Sequence, residues 1–132
     1  MGLDIYFSRM DKVANPSDPR HENEEVGYFR KVNFLVPFFT NEYGFSGESF
    51  DYLPVDEDML TDLKERCDAV IADPSKAKEL LPTCSGFFFG STDYDKYYFS
   101  DVKQVRDTCE RLLTEVLPNL AEGEEVCFYI WY

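Results

Sequence analysis

The residues most able to do chemistry in this 132-residue chain lie between Thr83 and Asp101. Gly86-Phe87-Phe88-Phe89-Gly90-Ser91-Thr92 has the glycines and hydroxyls of a phosphate loop. A Walker loop, however, needs four residues between its glycines and a lysine before the hydroxyl. Here three phenylalanines fill the gap, and no basic residue lies between Ser85 and Tyr94. Bulky rings deny a phosphate close backbone approach, so glycines flanking a buried strand are the better reading. Asp93-x-Asp95 could open a calcium loop, but that loop wants glycine at its sixth position and glutamate at its twelfth. Tyr98 and Gln104 stand there instead. The two acids better suit a turn in front of a helix capped by Ser100.

Nucleophiles fare no better. Ser85 lacks the G-x-S-x-G setting of a nucleophile elbow, and His21 is the only histidine in the chain. It stands in an acidic loop, with no spacing that ties it to Cys84 as a dyad. The four cysteines, at 67, 84, 109 and 127, form no C-x-x-C pair. They read as reduced, buried small hydrophobes rather than zinc ligands. No residue is assigned a catalytic or metal-binding role, and no cofactor is expected.

One constellation remains. Phe29, Val32, Val36 and Phe39 repeat at three and four residues, which predicts a largely buried helix from Val26, kinked or ended at Pro37. Arg30 and Asn33 share its only polar stripe. A buried guanidinium must be paired, and an acid between Asp93 and Asp101 is the expected partner. Arg30, Asn33, Thr83, Ser85, Ser91, Tyr94 and Asp95 are therefore the candidate ligand-binding residues, for an anion held by the guanidinium fork.

The elements that would position them follow from periodicity. Leu3, Ile5 and Phe7 alternate with Asp4, Tyr6 and Ser8 in a strand, and Val126, Phe128 and Ile130 alternate with Cys127, Tyr129 and Trp131 in another. Asp11 to Glu25 reads as loop. Phe50 to Leu53 suggests a short edge strand. Asp56 is an N-cap for a helix carrying Met59, Leu60, Leu63, Cys67, Val70 and Ile71 on one stripe. Asp73-Pro74 stops it and opens a short helix to Leu81. The last helix presents Val102, Val105, Cys109, Leu112, Leu113, Val116 and Leu117 before Pro118 and Gly123. These elements predict a single α+β domain over 1–132. Its small, mostly antiparallel sheet comprises N-terminal, central (Gly86–Gly90) and C-terminal strands, packed with three main helices. The terminal strands should be adjacent, their aromatic face covered by the Val26 helix or by a second subunit.

Composition limits the partners. Thirteen basic residues against 26 acidic ones give a net charge of -13, which disfavours bare nucleic acid and anionic membrane. No apolar run approaches the ~20 residues of a membrane span, and Met1 to Tyr6 lacks the positive region of a signal peptide. A cytoplasmic protein, monomeric or homodimeric, is expected.

Three segments resemble a family of small uncharacterised proteins of bacteria and their phages. They are the start Met-Gly-Leu-Asp-Ile-Tyr, Glu25-Val26-Gly27-Tyr28-Phe29-Arg30-Lys31, and Leu81-Pro82-Thr83-Cys84-Ser85-Gly86-Phe87-Phe88-Phe89-Gly90-Ser91. The likeness implies a domain and supplies no mechanism. Two functions are carried forward. The favoured one is a non-enzymatic acidic interaction protein that binds a basic protein, in the manner of a phage modulator of a host protein. The alternative is a small-molecule binder or enzyme with its anion site near Arg30 and residues 83–95.

Overall fold

The computed structural model describes residues 2–12, 23–86 and 89–132. Alternation produces two long strands at the ends, β1 (Asp4–Asp11) and β4 (Glu124–Trp131), which pair antiparallel from Asp4↔Trp131 to Asp11↔Glu124. The expected adjacency of the terminal strands is therefore present. β2 (Asn23–Arg30) lies on the other side of β1, with a register shift between Phe7 and Ser8. A three-residue edge strand, β3 (Leu53–Val55), completes the order β2-β1-β4-β3, antiparallel throughout.

The segment from Val26 is a strand where the spacing predicted a helix. Phe29 is buried while Tyr28 and Arg30 are exposed, a period of two that the three-and-four spacing conceals. Lys31 then takes φ 59°, a left-handed conformation that no helix can run through. The helix α1 (Leu35–Tyr43) starts only after it. Pro37 falls in its first turn, where a missing N–H costs nothing, so it neither kinks nor ends the helix. Gly44 closes α1 at φ 71°.

Helix α2 (Glu57–Ala72) begins where expected, its N-cap Asp56 accepting from the Met59 N–H at 2.9 Å. A 3-10 turn (Pro74–Lys76) and the short α3 (Ala77–Leu80) follow. Helix α4 (Lys96–Arg111) starts earlier than predicted. Its cap is Asp95, which accepts from the N–H groups of Tyr97 and Tyr98, and Ser100 lies inside the helix. The helix runs on through a π-helical turn (Leu112–Val116) and a 3-10 turn (Leu117–Asn119).

No central strand forms among the described residues of Gly86–Gly90. The Phe89 N–H bonds back to the Gly86 carbonyl at 3.1 Å, and Gly90 takes φ 83°. Phe87 and Phe88 lie outside the described residues, as does His21.

The helices pack on one face of the sheet. Leu3, Ile5, Phe7, Phe29, Val126, Phe128 and Ile130 meet helical side chains such as Phe39, Leu63, Val105 and Cys109 in one continuous core. Phe39 stacks on Phe128 with centroids 4.1 Å apart. The three main helices and the sheet thus make the expected α+β fold, in two layers.

Candidate functional site

Five of the seven predicted ligand residues line one cleft of about 240 Å³: Arg30, Asn33, Thr83, Ser91 and Asp95. Asp93, Tyr97 and Asp101 share it. Ser85 does not line it. Tyr94 stands behind, its hydroxyl accepting from the Thr83 N–H at 3.1 Å.

The polar groups of this cleft are largely occupied by the backbone of their own neighbourhood. Asn33 is 2% exposed, and its Nδ2 donates to the carbonyls of Phe89 and Ser91, both at 2.9 Å. Its Oδ1 accepts from the Cys84 N–H at 3.2 Å. The Thr83 hydroxyl donates to the Thr92 carbonyl at 3.0 Å, Ser91 Oγ accepts from the Asp93 N–H at 3.0 Å, and Asp95 is spent as a cap. These side chains hold the described parts of segment 83–95, which have no strand ladder to satisfy their backbone. The structure brings five of the seven residues to one cleft, from which Ser85 and Tyr94 are absent. Much of the polarity of these five serves the loop itself.

Arg30 departs furthest from expectation. It is not a helical neighbour of Asn33, and its side chain is 54% exposed at the end of β2. Its ion pair is with Asp4, at 3.8 Å, and not with an acid of Asp93–Asp101. Asp4 also accepts from the Tyr28 hydroxyl at 2.5 Å. Asp101 was not singled out from sequence, yet it lies in the cleft with its carboxyl pushed up by burial and by the neighbouring Asp95 charge.

All four cysteines are free thiols. Cys67, Cys109 and Cys127 are buried as expected, whereas Cys84 is only half-buried, its Sγ donating to the Asn33 carbonyl at 3.4 Å. Burial pushes the thiols of Cys109 and Cys127 up to about 12 and that of Cys67 further still. None has the electropositive surroundings that make a reactive thiolate.

The feature that sequence reasoning placed under a helix is the second face of the sheet. Because side chains alternate along strands, the even-numbered residues of β1 share that face with Tyr28, Cys127, Tyr129 and Trp131. Tyr28, Tyr6, Tyr129 and Tyr52 form a row across the strands, with successive centroids 5.3, 4.9 and 4.6 Å apart. Phe50 lies 6.3 Å from Tyr129 and 5.7 Å from Trp131. Only sheet and loop side chains build the small cluster beneath this face, and no helical side chain joins it. Tyr28, Phe50 and Trp131 remain 44%, 47% and 52% exposed. With the Val26 segment spent as β2, the described chain has no helix left to cover it. The signal was legible in the alternation of Tyr129 and Trp131, but an apolar strand face alone does not reveal what covers it.

No helix among the described residues is long and apolar enough to cross a membrane, and these residues hold no group of three or more histidine, cysteine or acidic side chains arranged for a metal ion. Comparison with protein-family models, curated proteins and solved structures finds no match to this chain.

Proposed function

We propose that this protein is a non-enzymatic interaction protein whose open aromatic sheet face seats a basic protein partner. The observation that carries this reading is an aromatic sheet face that no helix among the described residues covers, with Tyr28, Phe50 and Trp131 exposed around the buried Tyr129. Exposed aromatic side chains clustered on one face mark an interaction site, and aromatic rings bring large contact area at low conformational cost.

The sign of the partner follows from charge. Register puts Asp4, Glu25 and Glu125 on the aromatic face with Arg30 as its cation, within a chain of net charge -13. Such a rim speeds encounter with a cationic surface and repels a second copy of the chain. A basic protein is therefore favoured over self-association. The resemblance to bacterial and phage proteins suggests where such a partner belongs: a phage-type modulator acting on a host protein in the cytoplasm.

The test uses a fluorescently labelled nona-arginine peptide as probe and anisotropy as readout. Binding should weaken steeply with salt, since exposed charges are screened beyond about 8 Å at physiological ionic strength. It should also weaken about tenfold in the double variant Tyr28→Ser/Phe50→Ser, whose exposed positions leave the core intact. Salt-sensitive binding that ignores both substitutions would show that charge alone attracts the probe and that the face is not the seat.

A further inference from the structure

At one corner of the sheet two cations meet. Arg30 and Lys31 both converge on Gly2: a Cβ built there would lie 2.8 Å from Arg30 Nη2 and 3.3 Å from Lys31 Cε. Like charges brought together at one point repel; the acid paired with them is Asp4, 3.8 Å from Arg30 and already engaged by the Tyr28 hydroxyl, while Asp93, Asp95 and Asp101 line the neighbouring cleft with both cations. Lys31 has no ion pair among the described residues.

The placement of these cations is built into the backbone. Lys31 holds φ 59°, a conformation that costs a non-glycine residue on the order of 1–2 kcal/mol. Its stem packs along Gly90, where a Cβ would approach Lys31 Cβ at 3.2 Å. Strain of this sort persists where surrounding structure fixes it, and it concentrates at ligand sites. Two glycines and a strained lysine thus hold a pair of cations side by side.

Beside them opens a cleft of about 300 Å³ lined by Gly2, Asp4, Arg30, Trp131 and Tyr132. Its aromatic walls are fixed. Trp131 packs on Phe50, while Tyr132 meets the Phe89 ring at 5.2 Å and donates its hydroxyl to the Gly47 carbonyl at 3.0 Å. Trp131 and Tyr132 are nonetheless 52% and 44% exposed. The cleft therefore offers a flat apolar wall to one part of a ligand and the Arg30 guanidinium to another, with Lys31 reaching its edge beside Gly2.

We propose that this corner cleft binds a small planar aromatic anion of the nucleoside-phosphate class, its ring against Trp131 and its anionic group between Arg30 and Lys31. A guanidinium fork matches phosphate oxygens in a bidentate manner, and the lysine adds a point charge. Ring stacking on an exposed indole tolerates any base. The net charge of the chain does not forbid this, because charges farther than a Debye length of about 8 Å are largely screened. The site shares Arg30 and Trp131 with the partner-docking face, but it recognises the opposite sign of charge, so an anionic and a cationic probe read the two separately.

Trp131 is the chain's one tryptophan, so its emission reports directly on the cleft. Titration with AMP should change that emission saturably. Adenosine and inorganic phosphate, each supplying half of the recognition, should bind about tenfold more weakly. Arg30→Met, at an exposed position, should weaken AMP about tenfold or more with the fold intact. Lys31→Gly should weaken AMP while raising the melting temperature, because glycine relieves the left-handed backbone. That opposite pair of effects separates a binding loss from a folding loss. Absence of a saturable AMP response by both fluorescence and calorimetry would overturn the proposal. So would AMP affinity unchanged in both variants, or phosphate binding as tightly as AMP.

Discussion

Asn33 and Ser91 are 58 positions apart in the chain, yet the Asn33 Nδ2 donates to the Ser91 carbonyl at 2.9 Å from a site closed to water. The same carboxamide serves Phe89 and Cys84, so one side chain satisfies three backbone groups of the 83–91 segment. Asn33→Ala should therefore cost about 3 kcal/mol in urea-unfolding free energy, since buried groups left unpaired cost ~1–3 kcal/mol each. Asn33→Asp should cost more than alanine, because a carboxylate would then face two carbonyl oxygens. A destabilisation under about 1 kcal/mol for both would show that the segment finds other partners.

The start of α4 offers a second test. Asp95 accepts from two N–H groups of the first turn at 3.1 Å each, while Ser100 lies within the helix. Asp95→Ala should cost about 1 kcal/mol, the usual loss of a cap. Ser100→Ala should be neutral or slightly stabilising, because alanine is the better interior residue. Thermal melts of the two variants decide the matter. A larger loss at Ser100 would restore the later helix start that the Ser100 hydroxyl suggests.

These two positions also illustrate what the sequence could reveal. Asp56, followed by two acids and an apolar stripe, announced the start of α2 because cap, dipole and periodicity all agreed. At Asp95 they disagreed. Tyr97 and Phe99 dilute the stripe at the beginning of α4, and the serine looked like the nearer cap. The segment 26–39 misled for a related reason. Its apolar residues satisfy a helical spacing across what is in fact a strand, a turn at Lys31 and a helix, and local spacing carries no mark of a left-handed residue. Arg30 was recognised as a cation with a special neighbourhood. Its neighbours could not be, since Asp4, Gly2 and Trp131 reach it only through pairing across three strands.

The thiols should separate kinetically. With burial pushing Cys109 and Cys127 up to about 12, roughly one part in ten thousand of each is thiolate at pH ~8. Cys67 is held higher still. Cys84 is half-buried and is the accessible one. Reaction of the native protein with a chromogenic disulfide should show one faster thiol, absent in Cys84→Ser. Three more should appear only as the protein unfolds. A native burst of two or more thiols would mean that the α2–α4 interface around Cys67 and Cys109, or the β4 surroundings of Cys127, opens locally far more readily than its packing suggests.

The last prediction concerns Asp101, whose carboxyl burial and the Asp95 charge hold above the ordinary value of 3.8. In the window between 3.8 and its raised value, the folded protein binds this proton more tightly than the unfolded chain does. Stability contributed by this group therefore falls as pH climbs through that window, and its penalty is fully present above it. This slope is opposite to that of an acid stabilised by an ion pair. Asp101→Asn removes the charge while keeping the shape, so it should raise the urea midpoint at pH ~7. The gain should shrink towards zero below 3.8, where the wild-type carboxyl is protonated in both states. Paired denaturation curves at neutral and acid pH read the difference directly. If the asparagine variant is less stable at neutral pH, the Asp101 charge is meeting a cation, and Lys31 and Arg30 line the same cleft. The cleft would then be held together by charge rather than strained by it.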